Sequence, residues 1–593
     1  MNRAERRRQK SLSEKSFQSS HKKKHGSSKA QDTMQKGLFF HQSGQLNDAI
    51  HWYKKSLEVQ PDSVRVLANL AGALFDNRKF SEAVKTLQKA VEIKPDNAEN
   101  HFNLALALKA DKKDDEAINS LKKAILLKPE FAQAHNNLRF ALGEQLKMDE
   151  AIEFYTQILS QKPNCHNTHF QLGKAFEYIN EIDESVACFK KAIAIKHDFA
   201  DAHTKLGIYY EKINDTTKAY EHINYAINSS KDDPQANYVL SVLLRRSGKI
   251  DESIQQLEPF TSMEIPDQQL SAKIYFELGK LYDRKKNSRK AFENFKLGNS
   301  LQASGSKAAL SRNKHRFLSK VKQDSRLITP EWVKSWSTIE EKKDYASPVF
   351  IIGFPRSGTT LLDQILDSHP RVQVMEEREA VSGVKKSIPD DYASYLSTLN
   401  SADAERLRES YYTTVNSYIN RLDNTILVDK LPLNILYIPL IIRLFPKAKI
   451  ILAMRHPCDV VLSNFMQNYK LNNAMANFLT IDDTVQAYVQ VMGLWLKYAD
   501  LLPLRLHTIK YESLVEDMEG EAVKLLKFID VEWDDCVLNY HQHAKQRGAI
   551  NTPSYQSVTE PIYQRAKYRW KSYEEQLNPF IEKLQPFIKA FGY

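Results

Sequence analysis

The stretch NLAGALFDNRKFSEAVKTLQKAVEIKPDN, residues 69–97, decides the fold of the first half of the chain. Its leucine, its proline and an alanine between them recur with a fixed period of 34 residues. A small residue usually follows the leucine, so two helices can approach closely, and the proline closes each unit just after its second helix. The stretch therefore predicts a helical hairpin that stacks on copies of itself. The recurring positions are Leu70, Leu104, Leu138, Leu172 and Leu206; Pro61, Pro95, Pro129 and Pro163; and Ala49, Ala83, Ala117 and Ala151.

This pattern resembles the consensus of the tetratricopeptide repeat, and about eight units fit between Thr33 and Lys307. The last two units, from Asn237, depart from the pattern, as expected where an array ends and must be capped. The resemblance implies a helical solenoid over residues 32–307. Its curved face is expected to bind a protein or peptide, either an acceptor or another partner.

Four histidines occupy one equivalent position of the repeat and suggest a ladder of metal sites. Equivalent positions of a solenoid lie about one repeat apart, farther than a shared ion bound at about 2.0–2.1 Å by each nitrogen permits. We therefore predict that these histidines have packing roles. They are His101, His135, His169 and His203.

The composition indicates a globular chain with a basic N-terminal segment. With 593 residues the chain is too long for one hydrophobic core, and a hydrophobic share of 42% excludes a fully disordered polymer. The net charge is +11, but residues 1–30 contribute +8 of it. Residues 1–31 hold almost no apolar side chain, so we expect them to form a disordered tail. Because the rest of the chain is close to neutral, we do not expect nucleic acid as a partner.

Cysteine usage and hydropathy give expectations about location. The four cysteines are scattered without a Cys-x-x-Cys pair, which fits a reducing compartment. The sequence also lacks an apolar run of about 18 residues, the length read as a membrane span, and an apolar core for a signal peptide. We therefore expect a cytoplasmic protein without a membrane span.

A second domain begins after the repeats. The period is lost beyond residue 307, and the polar pattern of residues 308–346 predicts a helical linker. From Pro348 short apolar runs alternate with helical patterns, which is typical of a parallel sheet covered by helices. Helices are expected from about Thr359 and from about Pro457, so we predict an α/β domain over residues 347–593. The predicted strands lie in PVFIIGF, TILVD, AKIILAM and LRLHTIK.

The run GFPRSGTT, residues 353–360, has the features of a phosphate-binding loop. It follows a predicted strand and opens a predicted helix, so backbone N–H groups and the helix N-terminus can hold an anion. Thr359 stands where nucleoside triphosphatases carry the lysine that reaches the β- and γ-phosphates. The loop therefore favours an anionic ligand but disfavours ATP hydrolysis or kinase chemistry.

The surrounding sequence VFIIGFPRSGTTLLDQILDSHPRVQVMEEREAV, residues 349–381, resembles the donor loop of sulfotransferases, in particular of tyrosylprotein sulfotransferases. Three later segments continue the resemblance, which covers residues 348–570. The layout of repeats followed by this domain resembles the bacterial tetratricopeptide-containing sulfotransferases. The resemblance implies a P-loop-like fold and the donor 3′-phosphoadenosine 5′-phosphosulfate (PAPS), with no metal. The later segments are LVDKLPLNILYIPLIIRLFPKAKIILAMRHPCDVVLSNF (427–465), IKYESLVED (509–517) and PSYQSVTEPIYQRAKYRW (553–570).

The resemblance assigns contacts at both ends of PAPS. Arg455 and Ser463 are the implied ligands of the 3′-phosphate. Arg455 follows a predicted buried strand and Ser463 lies about two helical turns further on, so both can reach one anion at the carboxyl edge of a parallel sheet. The implied ligands of the 5′-phosphosulfate are Arg356, Ser357, Gly358, Thr359 and Thr360, and Tyr511 and Arg569 are further implied donor contacts.

Sulfuryl transfer needs cationic stabilisation and a base for the acceptor hydroxyl. The resemblance implies that Glu377 is this base, that Lys430 stabilises the leaving group and that Arg356 takes part in catalysis. His456 is expected to be structural, since the base matches a carboxylate.

Some positions leave the acceptor open. Glu379 stands where tyrosylprotein sulfotransferases carry an arginine that helps to read acidic peptides, and Gln467 replaces a basic donor contact. The match to a second catalytic serine is ambiguous between Ser554 and Tyr555.

These expectations combine into a sulfotransferase that moves a sulfuryl group from PAPS to a hydroxyl, with a protein tyrosine as the expected acceptor. A glycan or small-molecule acceptor is an alternative. So is a repeat scaffold whose α/β domain binds a nucleotide without catalysis. A homodimer is also left open.

Overall fold

The computed structural model describes residues 29–304, 307–339, 347–389, 391–546 and 565–593. The predicted tail lies outside these ranges except for its last three residues, which begin the first helix. Ser554 and Tyr555 also lie outside the described residues. The chain divides into two compact units, one up to Leu206 and one from Gly207 to Tyr593.

Within residues 29–304, sixteen helices pair consecutively into eight hairpins, which confirms the predicted helical repeats. A short 3₁₀ helix, Glu258–Thr261, follows the seventh hairpin. The helices are α1 (Lys29–Gln42), α2 (Leu46–Val59), α3 (Val64–Asp76), α4 (Phe80–Ile93), α5 (Ala98–Ala110), α6 (Asp114–Leu127), α7 (Ala132–Glu144), α8 (Met148–Gln161), α9 (His166–Tyr178), α10 (Ile182–Ile195), α11 (Ala200–Lys212), α12 (Thr216–Ser229), α13 (Pro234–Arg246), α14 (Ile250–Leu257), α15 (Gln268–Arg284) and α16 (Ser288–Ser304).

The two helices of a hairpin touch where the repeat carries its small residue. At Gly173 an added methyl group would come within 2.7 Å of the Phe189 ring, which is closer than carbon atoms can pack. The alanine of the second helix is also fully buried, as at Ala83 and Ala117. The small residues of the repeat therefore set the spacing of the helices, as the period predicts.

The four equivalent histidines each contact a backbone carbonyl six residues earlier in the chain. His101 Nε2 donates to the carbonyl of Pro95 over 2.9 Å, and the other three make the same bond over 2.7–3.0 Å. Burial lowers the pKa of His135 to about 4, so its ring is neutral at physiological pH. These bonds fix the start of one helix to the preceding turn, which is a packing role.

The second unit contains a five-stranded sheet after a helical connection, α17 (Lys307–Leu327) and α18 (Pro330–Lys334). All four strand pairs are parallel, and the strand order is β2-β3-β1-β4-β5, which confirms the predicted parallel α/β architecture. β2 was not among the predicted strands. The strands are β1 (Val349–Gly353), β2 (Val372–Glu376), β3 (Ile426–Lys430), β4 (Lys449–Met454) and β5 (Arg505–Lys510).

Helices and 3₁₀ turns connect these strands, as parallel pairing requires. No helix among the described residues has both the length and the hydropathy needed to span a membrane. The helices are α19 (Thr359–Asp367), α20 (Ala380–Lys386), α21 (Tyr392–Thr398), α22 (Ser401–Tyr418), α23 (Ile438–Leu444), α24 (Pro457–Phe465), α25 (Ile481–Leu501), α26 (Tyr511–Glu516), α27 (Met518–Phe528), α28 (Tyr540–Gln546) and α29 (Glu574–Ala590), and the 3₁₀ helices are Pro432–Tyr437, Met475–Phe478, Asp535–Asn539 and Arg569–Tyr573.

The central strand β1 is buried on both faces of the sheet. Phe350 and Ile352 pack into one hydrophobic cluster, and Val349 and Ile351 pack into another. Because β1 lies between β3 and β4, the connections after β1 and after β4 leave the sheet at neighbouring carboxyl ends. In open parallel sheets, ligands bind in the crevice that such a change of direction creates.

Candidate active site

The phosphate-loop sequence forms a tight turn between β1 and α19. Gly353 is required at its start, because an added methyl group would lie 2.6 Å from Ser357 Oγ and 2.7 Å from the Ala453 carbonyl. Arg356 has a φ of 71°, a left-handed conformation that costs free energy for a residue with a side chain. The turn thus brings backbone N–H groups to the N-terminus of α19, as an anion site needs.

The loop contacts the segment that follows β4. Arg356 Nε donates a hydrogen bond to Ser463 Oγ over 3.1 Å, and Asn464 Nδ2 donates to the Pro355 carbonyl over 2.8 Å. Arg455 comes directly after β4 and stacks its guanidinium on the Tyr511 ring, 4.9 Å from the ring centre. The residues implied for the two ends of PAPS therefore lie against one another.

Of the buried polar atoms that have no partner among the described residues, two belong to residues implied as ligands of PAPS. They are Ser357 Oγ and Arg455 Nε. Buried polar atoms are nearly always hydrogen-bonded, and leaving one unpaired costs about 1–3 kcal/mol. Both atoms belong to residues implied as ligands of an anion, and an anion is what a hydroxyl and a guanidinium can bind.

A cavity of about 930 Å³ opens over the loop. Ser357 and Lys430 are buried and do not line it, although Lys430 lies behind its wall. The last repeat hairpin contributes Lys280, Asp283 and Arg284 to the lining, together with Lys286 and Ser288. The other residues implied by the resemblance all line the cavity: Arg356, Gly358, Thr359, Thr360, Glu377, Arg455, Ser463, Tyr511 and Arg569.

Glu377 and Lys430 form an ion pair at the cavity wall. The Lys430 Nζ atom lies 2.9 Å from Glu377 Oε1, 2.8 Å from Asp363 Oδ2 and 3.6 Å from Glu376 Oε1. The backbone N–H of Glu377 donates to the Lys430 carbonyl over 2.7 Å, so the pairing of β2 with β3 sets this geometry. The lysine side chain is fully buried, whereas one third of the Glu377 side chain is exposed. Glu377 is therefore the member of the pair that an acceptor can reach.

The carboxylates hold Lys430 in its charged form. Burial opposes a charge on this lysine, but Asp363, Glu377 and Glu376 more than offset the effect and raise the pKa of Lys430 above its usual value. Burial also raises the pKa of Asp363 to about 7, against the attraction of the lysine. The site thus keeps one positive charge fixed among three carboxyl groups.

His456 has the surroundings of a structural residue. Its ring stacks on Trp570 at 5.0 Å, and its Nδ1 accepts a hydrogen bond from the Cys458 N–H over 3.3 Å. Burial and the nearby charge of Arg455 lower the pKa of His456 to about 4. The neutral ring caps α24 instead of facing the cavity, where it would have to lie to act as a base.

Two parts of the site are not among the residues predicted from the sequence. Asp363 sits on a helix buried all round, between Leu362 and Gln364, and an acid in such a helix was a signal for a buried partner. The contribution of the last repeat gave no such signal, because Asp283 and its partner Arg569 are separated by 286 residues.

Comparisons with known proteins agree with this architecture. Residues 348–535 match a model of the sulfotransferase family, and tetratricopeptide repeat models match residues 40–104, 74–139 and 178–214. The fold, the phosphate loop and this match define the C-terminal domain as a sulfotransferase-family domain. The chain as a whole joins tetratricopeptide repeats to that domain, as the resemblance in its sequence implied.

Several relatives share part of the chain. An uncharacterized protein of Aquifex aeolicus (strain VF5) is 31% identical over 57% of this chain and 44% of its own length. The protein-tyrosine sulfotransferase of Drosophila melanogaster is 25% identical over 37% of this chain and 46% of its own. A putative protein-tyrosine sulfotransferase of Caenorhabditis briggsae is 24% identical over 41% of this chain and 88% of its own. The chain thus spans less than half of the Aquifex and Drosophila proteins.

Solved structures resemble part of the chain. The crystal structure of MamA is 29% identical, with a TM-score of 0.24, and the match covers 29% of this chain and 94% of MamA. The crystal structure of YrrB, described as a tetratricopeptide repeat protein with an unusual peptide-binding site, is 20% identical with a TM-score of 0.23. That match covers 31% of this chain and 95% of YrrB.

Proposed function

We propose that this chain transfers a sulfuryl group from PAPS to a hydroxyl, and that the acceptor is a tyrosine of a protein or peptide bound by the repeats. One observation carries the proposal: a partly exposed carboxylate, Glu377, is held by a buried cation, Lys430, at the wall of the cavity over the glycine-containing loop 353–360. A domain that only bound a nucleotide would not need a buried lysine surrounded by acids.

The residues present fit PAPS as a ligand. PAPS carries an anionic group at each end, and its bound form supplies the activated sulfuryl group. The N-terminus of α19 and the unpartnered Ser357 Oγ suit the 5′-phosphosulfate, and Arg455 with its unpartnered Nε suits the 3′-phosphate. Thr359 and Thr360 add two hydroxyls at the start of the same helix.

The acidic and basic groups then have separate roles. Glu377 accepts the proton of the acceptor hydroxyl, because its side chain is the exposed member of the pair. Lys430 orients that carboxylate and supplies a fixed positive charge beside it, while Arg356 adds a second cation from the loop. Preorganised charges of this kind stabilise the negative charge that develops during transfer.

A tyrosine acceptor agrees with both halves of the chain. A phenol, with a pKa of about 10, is deprotonated more easily than an alkyl alcohol by a carboxylate base. A tetratricopeptide array supplies a surface for a peptide that carries such a tyrosine. Some of the relatives carry the name protein-tyrosine sulfotransferase, which supports the same choice.

The test is transfer of label from ³⁵S-PAPS by the purified full chain. A tyrosine peptide and its Tyr-to-Phe counterpart serve as paired acceptors, and ATP replaces PAPS in a parallel reaction. We expect label in the tyrosine peptide alone, with or without a chelator. Label in a glycan or small molecule instead would correct the acceptor, and PAPS binding without turnover for any acceptor would support the scaffold.

A further inference from the structure

One segment that lines the candidate donor site is held from two sides. Residues 565–573 contain Arg569 and end in a short 3₁₀ helix, Arg569–Tyr573. On one side the segment contacts the domain: the Arg455 guanidinium donates to the Ala566 carbonyl, and the Trp570 N–H donates to Asp459 Oδ1 over 2.8 Å. The first contact attaches the segment to Arg455, which is implied as a ligand of the 3′-phosphate, and the second attaches it to α24.

On the other side the segment forms hydrogen bonds with a carboxylate of the last repeat hairpin, Asp283. Arg569 Nε donates to Asp283 Oδ1 over 2.9 Å, and its Nη2 lies 2.8 Å from Asp283 Oδ2. The Tyr573 hydroxyl donates to Asp283 Oδ1 over 2.7 Å. This bidentate geometry fixes both the position and the rotation of the guanidinium plane.

Asp283 is placed where it does not stabilise its own helix. It is the second-last residue of α15, and a negative charge in the last turn of a helix is disfavoured by the helix dipole. Its three contacts all go to the segment 565–573, and Asp283, Arg569 and Tyr573 all line the cavity. The contacts of Asp283 therefore point to a role in the cavity and not in the solenoid.

The remaining guanidinium nitrogen is available to a ligand. Asp283 engages Nε and Nη2 of Arg569, and Nη1 has no partner among the described residues. Because an arginine presents its donors in a rigid fork, holding one edge fixes the direction of the rest. Asp283 can thus aim a donor-binding arginine without competing for all of its hydrogen bonds.

We propose that the last repeat hairpin is part of the donor site and that Asp283 is the positioning residue that holds Arg569 for PAPS. The proposal rests on the proposed function and adds to it that the repeats serve donor binding as well as acceptor binding. It follows that a change of Asp283, near the end of α15, lowers donor affinity without a change in any group that reacts.

The experiment measures binding of adenosine 3′,5′-bisphosphate, the product nucleotide, by calorimetry on the full chain. Asp283→Asn removes the charge and keeps the shape. We expect about 10- to 100-fold weaker binding, since hydrogen bonds to charged groups have free energies that correspond to such factors. The donor KM should rise by a similar factor, while kcat changes by less than about threefold, because Asp283 does not touch the reacting groups.

The matched control is Asp251→Asn. Asp251 also forms an ion pair between two repeats, with Lys285, but its side chain is 75% exposed and does not line the cavity. We expect unchanged nucleotide binding in this variant. Weakened binding in both variants would attribute the effect to the solenoid as a whole and would overturn the proposal.

A double-mutant cycle tests whether Asp283 acts through Arg569. If it does, Asp283→Asn combined with Arg569→Gln binds no more weakly than Arg569→Gln alone. Independent, multiplicative losses would contradict the positioning role, as would an Asp283→Asn variant that melts at a lower temperature yet binds the nucleotide normally. Failure of the wild-type chain to bind the nucleotide would instead remove the proposed function itself, and this inference with it.

Discussion

Two buried ion clusters border the same cavity, and they are built with opposite charges. In the repeats, the buried Glu277 lies between Arg245, with which it pairs, and Lys280, whose Nζ is 3.4 Å away. In the sheet domain, the buried Lys430 lies among three carboxyl groups. The first cluster has one anion for two cations, whereas the second has one cation for three acids.

The two clusters have different roles: the cluster around Glu277 stabilises the repeats, whereas the cluster around Lys430 contains a group that can react. Arg245 comes from the neighbouring repeat and Lys280 from the same helix as Glu277, so the pair with Arg245 joins two helices. The acids around Lys430 instead include one, Glu377, that is partly exposed in the cavity. Lys430 can be neutralised by one carboxylate, but three surround it. Glu377, the partly exposed one, is therefore available to accept a proton.

Of the substitutions in the second cluster, Glu377→Gln should lower the rate of transfer most. The amide keeps the shape but cannot accept the acceptor's proton, so we expect kcat to fall by about 10²–10⁴-fold. Initial rates of label transfer measure this loss. Glu379→Gln is the control, because Glu379 is exposed, pairs with Lys386 over 2.8 Å and does not line the cavity. Equal activity of the two variants would contradict the role of Glu377.

Lys430→Met should lower both activity and stability. Loss of one preorganised charge typically reduces the rate by about 10²–10³-fold. It also leaves the fully buried Asp363 without its cation, which costs about 3–5 kcal/mol of the free energy of unfolding. Adding Asp363→Asn should recover stability in urea unfolding but not activity. Recovery of activity in the double variant would show that Lys430 has only a structural role.

Glu277→Gln should affect stability alone. The arginine and lysine hold the pKa of Glu277 below its usual value against the effect of burial, so the carboxylate is charged in the folded chain. Removing it should cost about 3–5 kcal/mol, with kcat of the folded fraction nearly unchanged. Glu293→Gln, which loses an exposed pair with Arg289, should stay within about 0.5 kcal/mol. Thermal unfolding and rates on the same samples distinguish the two clusters.

Asp429 sharpens the comparison. It is buried next to Lys430 in β3, and its partners among the described residues are two hydrogen-bond donors instead of a cation. Burial raises its pKa to about 7, while hydrogen bonds from Tyr411 and Asn434 oppose the shift. An unfolded aspartate titrates near pH 3.9. Between about pH 4 and pH 7, Asp429 is therefore protonated in the folded chain and ionised in the unfolded chain.

The free energy of unfolding should consequently fall as the pH rises through this window, by up to about 1.4 kcal/mol per pH unit for one group. Asp429→Asn removes this contribution, so the unfolding free energy should depend less on pH. Urea unfolding from pH 5 to pH 8 measures the slope. The exposed Asp500 provides the control Asp500→Asn, and an equal slope in the two variants would contradict the assignment.

The sequence was enough to predict the helical repeats and those strands that appear as continuous apolar runs. The period fixed the eight hairpins, and four of the five strands lie where apolar runs were quoted. β2 was missed because Val372–Glu376 contains polar residues and pairs at one edge of the sheet. Gln373 and Glu376 are half-exposed polar residues, so β2 lacks the continuous apolar run of the central strand β1.

The site was predictable only in part, for a related reason. Arg356 and Glu377 belong to motifs that can be read locally, and both line the cavity. Other contacts of the site join segments that are distant in the sequence and meet only in the folded chain. Examples are the contact of Lys430 with Asp363 and that of Asp283 with Arg569. Only a three-dimensional arrangement defines such contacts, since no spacing along the chain encodes them.

The register of β2 against β3 has a further consequence. Glu376 pairs directly with Lys430 in the parallel ladder. The backbone hydrogen bonds between the two strands therefore place Glu377 next to the lysine. A single residue inserted into β2 would reverse which side chain faces the cavity, without altering any side chain of the site. The number of residues between Val372 and Glu377 therefore matters for the site independently of their side chains.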